Sequence, residues 1–137
     1  MPRPRNIPSR PSLFRILPLL AAGTILLSGC KEAEILGGPV QSGRLTDGVF
    51  EGTAGSGPNK AAVRVTVEDR RITRVEILSH DAWKGRKAEP VIPGRIVQAQ
   101  STNVEAVTGA TNSSRVIMNA VQDAVEKACS SDPSPKE

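Results

Sequence analysis

The segment AAVRVTVE, residues 61–68, alternates without a break, with Val63, Val65 and Val67 on one side and Arg64, Thr66 and Glu68 on the other. Successive side chains leave a strand on opposite faces, so this order specifies an extended segment with one dry and one wet side. After Asp69-Arg70-Arg71 the stretch ITRVEIL returns with Val75 and Ile77 expected inward. Ahead of them DGVFEGTA opens on a turn signal and offers Val49 and Phe50 to a sheet. Three such segments with short polar connections predict an antiparallel meander with one solvated face.

The dry face of that meander has to be covered. The clearest cover is the last segment, where Ile117, Val121, Ala124, Val125 and Ala128 recur at spacings of three and four, the period of an amphipathic helix. Between His80 and that helix, Pro90 and Pro93 forbid one continuous helix, which leaves a short one from about Pro93 to Ala99 and a further short strand at Val104–Val107. The expected fold class is α+β, a small antiparallel sheet with helices packed on one face and a closing C-terminal helix, spanning residues 47–128.

The chain has 137 residues, and its first 29 do not belong to that domain. Arg3, Arg5, Arg10 and Arg15 precede the apolar run Ile16–Leu27 and then Ser28-Gly29-Cys30, the order of a basic region, an apolar region and a small-residue cleavage site. The run is 12 residues long, short of the roughly 20 that span a bilayer. LSGC resembles a bacterial lipobox, which implies a lipid on Cys30 and a cell-envelope location on the extracytoplasmic side of a membrane. Lys31 is not the aspartate associated with inner-membrane retention, which points to the outer membrane in a two-membrane cell. Residues 30–46, rich in Gly and polar residues, read as a tether, and residues 129–137 as a disordered tail.

The leader holds four of the 18 basic residues and none of the 14 acidic ones, so the remainder is balanced in charge. A phosphate-neutralising nucleic-acid surface is therefore not expected. Two cysteines, Cys30 and Cys129, exclude a disulfide framework or a cysteine-rich metal site. The lone histidine, His80, makes neither a metal site nor a triad and reads as structural or supporting.

The chemistry concentrates in Thr108-Gly109-Ala110-Thr111, where an extended segment gives way to the closing helix. A helix N-terminus offers backbone N–H groups without intrahelical acceptors and a partial positive charge, a setting that favours a phosphate. Asn112, Ser113 and Ser114 in the first turn are of the type that satisfies such donors. On these residues alone, Thr111 either caps the helix or presents its hydroxyl, with Gly109 and Ala110 giving clearance.

Taken together, DGVFEGTA, VRVTVE, ITRVEILSH, RIVQAQSTNVEAVTGAT and the closing helix resemble the FMN-binding domain family over nearly all of residues 47–128. The resemblance implies FMN held covalently through a phosphoester on Thr111, as in flavin-carrying subunits of sodium-pumping quinone reductases and Rnf complexes. It also implies a separate FAD-dependent flavin transferase as one partner and extracytoplasmic redox proteins as others. Glu105 stands where the transferase's pattern has an aspartate six residues before the acceptor, and AWKGRKAEP replaces a glycine-rich loop. Thr108, Gly109, Ala110, Asn112 and Ser113 are the cofactor-binding candidates around Thr111, with His80 nearby. Trp83 is a candidate to stack on the flavin ring or to seal the core edge, with Lys84, Arg86 and Lys87 beside it, whereas Phe50 reads as core. The implied role is electron transfer between partners more than stand-alone catalysis. The alternatives are a flavin-dependent reductase component acting on a small extracellular acceptor and a non-redox envelope lipoprotein acting as a binding module.

Overall fold

The computed structural model describes residues 33–131. Residues 1–32, Cys30 among them, and residues 132–137 lie outside the described residues, whereas Cys129 and Ser130, read above as the start of the tail, belong to the closing helix. Three strands, β1 (Gly48–Ser56), β2 (Asn59–Glu68) and β3 (Arg71–Asp81), form one antiparallel sheet in the order β1-β2-β3. Two helices follow, α1 (Ile92–Ala99) and α2 (Thr111–Ser130), with short 3-10 turns at Ser42–Arg44 and Arg86–Ala88. This is the expected α+β arrangement: α2 lies over β1 and β2, and α1 over β3.

The alternation of β2 is realised in full, since Val63, Val65 and Val67 are buried and Arg64, Thr66 and Glu68 are not. On the wet face Arg64 bridges to Glu51 of β1 at 2.8 Å. The β1–β2 hairpin turns on Gly57-Pro58, with Gly57 at φ 58° in the first loop position, where a two-residue hairpin calls for glycine. The β2–β3 hairpin uses Asp69 and Arg70, both left-handed at φ 52° and 57°. Glycine or asparagine suits such a turn better, and the Asp47 carboxylate compensates by accepting the N–H groups of Asp69 (3.1 Å) and Arg70 (2.8 Å).

β3 departs from simple alternation. Its register against β2 slips twice, leaving Thr73 and Leu78 as extra residues, so the inward positions are Ile72, Val75, Ile77 and His80. Bulges of this kind bend a strand and re-aim its side chains. They are why His80 turns into the protein while Leu78 is exposed.

Two expectations are corrected. Residues 104–107 form no strand. The Glu105 carbonyl accepts from Arg95 Nη1, and the Val107 N–H is taken by the Ser114 hydroxyl at 3.0 Å, so side chains satisfy this backbone without a sheet partner. The segment 33–46, expected to hold the domain at a distance, lies along it as a strap. Asn112 Oδ1 accepts from the Ala33 N–H at 2.8 Å, and Arg115 donates to the Ala33 carbonyl at 3.3 Å. Asn119 accepts from the Leu36 N–H at 3.0 Å and donates to the Glu34 carbonyl at 2.6 Å. Farther on, Gly38 pairs with Thr102, and Pro39 bridges to Ser101. Asn112, Arg115 and Asn119 share a face of α2 at spacings of three and four. The helix is thus enclosed on two sides, by the sheet and by the strap, and Val116, Met118 and Asn119 are buried beyond the face that the periodicity marked.

At the far end of α2, Asp123 accepts from the Thr53 N–H and from Lys127, each at 2.9 Å. The Lys127 ammonium and that backbone donor hold the Asp123 carboxyl below its ordinary value. No described helix is long and apolar enough to cross a membrane.

Candidate functional site

The site is built where three loops meet the start of α2. Residues 107–110 form a tight turn closed by the Ala110 N–H to the Val107 carbonyl at 2.9 Å. Gly109 sits at its third position with φ 73°, a conformation that L side chains rarely adopt and that a type II turn requires there. Ser114 locks this turn to the helix. Its hydroxyl donates to the Ala110 carbonyl at 2.8 Å while accepting from the Val107 N–H.

The first intrahelical bond runs from the Ser114 N–H to Ala110. Ala110 is the N-cap, and no side chain caps the helix. The N–H groups of Thr111, Asn112 and Ser113 therefore stand at the mouth of the helix, the donors that an α-helix leaves without internal acceptors. Thr111 is the first helical residue, not its cap, which removes the capping account of that side chain. Its hydroxyl makes no hydrogen bond among the described residues.

The expected capping by Asn112, Ser113 and Ser114 is also replaced by other work. Asn112 reaches the strap, and Ser114 reaches the turn. Ser113 is buried where Gly85 presses against it, so close that a Cβ on Gly85 would overlap the Ser113 side chain. That contact seats the loop after β3 directly on the first turn of α2.

An open groove of about 430 Å³ results, lined by the hairpin tip Pro58-Asn59, by Trp83-Lys84-Gly85 and by Gly109–Ser113. No carboxylate lines it. Lys87 brings its Nζ to 2.8 Å from where a side chain on Gly109 would begin, so positive charge lies beside the turn. Trp83 is 94% exposed on the groove wall, which excludes the reading in which it seals the core edge. Lys84 lies 5.5 Å from the centre of its ring. Thr108, Gly109, Ala110, Thr111, Asn112, Ser113 and Trp83 are thus brought to one place, with Thr108 exposed on the turn.

His80 is not in the groove lining. It is buried beneath the loop, with Nδ1 2.9 Å from Glu89 Oε1 and Nε2 without a hydrogen-bond partner. It ties the end of β3 to the segment that carries Trp83 to Lys87. Phe50 packs against the core as expected. Glu105 is exposed and lies away from the groove, alongside α1. A larger hollow of about 740 Å³ lies among Arg44, Asp47, Arg70 and Cys129, but its one carboxylate is committed to the β2–β3 turn and it is remote from α2's first turn. Among the described residues no group of three or more His, Cys, Asp or Glu could hold a metal ion.

The sequence could have disclosed Gly85 only through its contact with Ser113 across the chain, since it lies in no pattern of its own. Lys87 was visible as one of several cations near Trp83.

Comparison with known proteins places this geometry in context. Residues 56–126, from the β1–β2 turn through most of α2, match the family described as FMN-binding domain. The chain is 35% identical over 86 residues to an uncharacterized protein of Treponema pallidum (strain Nichols), a match spanning 61% of this chain and 24% of that protein. The aligned region is thus about a quarter of the relative's length.

Proposed function

The chain belongs to the FMN-binding domain family, and on that premise we propose that it carries FMN esterified through its phosphate to Thr111 Oγ1 and passes electrons between partner proteins at an extracytoplasmic membrane surface. The observation that carries this reading is the unengaged Thr111 hydroxyl, set in the first turn of α2 in an open groove without carboxylates.

The residues present fit the group. Backbone N–H groups of the first turn, together with the helix dipole, favour the phosphate's negative charge. Lys87, beside Gly109, adds a cation to the same field. Gly109 and Ala110 leave room for a transferase to approach, and Trp83 offers a flat ring at the groove wall. The flavin, when bound, supplies reversible uptake and release of electrons; the protein positions it and sets the surrounding charge. A covalent link keeps the cofactor with a carrier working where free flavin is scarce, replacing affinity by effective concentration.

Thr111 needs no base of its own in this scheme. With FAD as donor, the Thr111 hydroxyl would displace AMP from the flavin-bearing phosphate, its proton passing to a base on the transferase.

The test is intact-mass measurement of the exported protein co-produced with a flavin transferase. Thr111→Val removes the hydroxyl at nearly constant shape and is expected to abolish the added FMN mass. Thr111→Ser should retain part of it, and Thr108→Val and Ser113→Ala should still be modified. FMN on the Thr111→Val protein, or a peptide map placing it on Thr108 or Ser113, would reject the assignment.

A further inference from the structure

One end of the domain gathers features that flavin attachment accounts for only in part. The loop Trp83-Lys84-Gly85-Arg86-Lys87 carries three cations in five positions, and Trp83, Lys84, Arg86 and Lys87 are all exposed. None of the three cations has a carboxylate partner among the described residues. Of the acids that flank the loop, Glu89 is engaged by His80, and Asp81 lies exposed at the end of β3. The loop is held in shape from below by the Gly85–Ser113 contact and by His80. A single indole left 94% exposed among cations is the composition of a surface that meets the headgroup region of a membrane, where the ring's apolar body and polar edge are both accommodated.

The second observation is where the chain enters the fold. Ala33 is fixed to Asn112, and Asn112 lines the same groove as Trp83 and Lys84. Cys30 lies three residues before Ala33, and the apolar run Ile16–Leu27 ends six residues before it. Even fully extended, these lengths reach only about 10 Å and 20 Å. Whichever of the two enters the lipid, Ala33 is held within that distance of the bilayer, and the groove that Asn112 shares with Trp83 lies next to it.

We propose that Trp83 to Lys87 docks on an anionic phospholipid surface, with the indole in the headgroup layer and Lys84, Arg86 and Lys87 on lipid phosphates. The proposal takes its membrane anchor from the function proposed above but does not depend on flavin. Its consequence for that function is orientation: the groove holding Thr111 faces the membrane, so electrons are exchanged with a partner at the bilayer surface. An acidic protein is the competing occupant. Lipid is favoured because the short connection to the anchor presents this surface to the bilayer, and each basic residue near an anionic leaflet adds to attraction that fades within a Debye length.

The experiment uses the flavin-free full chain reconstituted in phosphatidylcholine vesicles with or without phosphatidylglycerol. Trp83 is the sole tryptophan, so its emission reports on this loop alone. Flotation of the vesicles reports the anchor separately. In anionic vesicles the emission should shift to the blue and be quenched by bromine-labelled lipids. In zwitterionic vesicles, or in high salt, it should remain that of an indole in water. Lys84→Glu, Arg86→Glu and Lys87→Glu together should abolish the shift, whereas Arg64→Glu, Arg71→Glu and Arg74→Glu, an equal charge change on β2 and β3, should preserve it. A protein that floats while Trp83 stays in water overturns the docking and leaves the surface to an acidic partner. Equal shifts in both triple variants overturn the assignment to this loop. A protein that does not float overturns the anchor, and this proposal with it.

Discussion

Replacing Asn119 with alanine should release the strap while leaving the sheet intact. Asn119 is only 8% exposed and makes two bonds to the strap, accepting from the Leu36 N–H at 3.0 Å and donating to the Glu34 carbonyl at 2.6 Å. A hydrogen bond of this kind contributes about 1 kcal/mol net, so losing two lowers the free energy of opening the strap by about 2 kcal/mol. The freed backbone groups belong to exposed residues and can turn to water, which keeps the loss near that figure instead of adding a burial penalty. When opening is fast compared with exchange, about 2 kcal/mol corresponds to roughly 30-fold faster amide exchange at Leu36. Asn112→Ala removes one bond, at Ala33, and should give roughly 5-fold there. The assay is residue-resolved hydrogen exchange, with the amides of Val63, Val65 and Val67 as the internal reference. A Leu36 amide that exchanges equally fast in the parent and in Asn119→Ala would refute the reasoning, because the strap would then not be held by this side chain.

Replacing Asp69-Arg70 by Asn-Gly should stabilise the domain by about 1 kcal/mol in chemical denaturation, since both positions are left-handed and non-glycine. The lowered Asp123 pKa gives an acid-side signature: its contribution is present above the unfolded carboxylate value and is lost as pH falls through the lower folded value. Because the Lys127 pair is largely solvent-exposed, that contribution should be under about 1 kcal/mol, and Asp123→Asn should flatten stability by that amount below about pH 4 in melts across pH.

The parts of this fold that were legible in the sequence are those fixed by local periodicity. Val63, Val65 and Val67 declare β2 because period two has no other use there, and Ile117, Val121, Ala124, Val125 and Ala128 declare α2 in the same way. The bulges at Thr73 and Leu78 were hidden, because an extra residue in a strand shifts the pattern without any residue type that announces it. Val104–Val107 has the composition of a strand but joins no sheet edge, with the Glu105 carbonyl and the Val107 N–H taken by Arg95 and Ser114 instead. The strap was invisible for a related reason: its bonds come from Asn112, Arg115 and Asn119, polar residues that read as an exposed helix face until the segment covering them is known. At the site, TGAT was legible as a helix start, while the choice between Thr111 as cap and Thr111 as presented hydroxyl was open until the N-cap was found at Ala110. The close seating of Gly85 on Ser113 and the engagement of Asn112 by the strap were not legible, because both depend on long-range partners.

The course of the strap along α2 also settles how the domain responds to tension. Its contacts run in step with the helix, Ala33 at Asn112, Leu36 at Asn119 and Gly38 near Gln122 through Thr102. A pull on the chain ahead of Ala33, directed away from the start of α2, therefore acts along the line of these bonds and loads them in parallel, as in shear. Had the strap run the opposite way, the same pull would have peeled them one after another from the Gln122 end. Tension applied ahead of Ala33 is thus divided among the contacts at Asn112, Asn119 and Thr102 and does not fall on one of them alone.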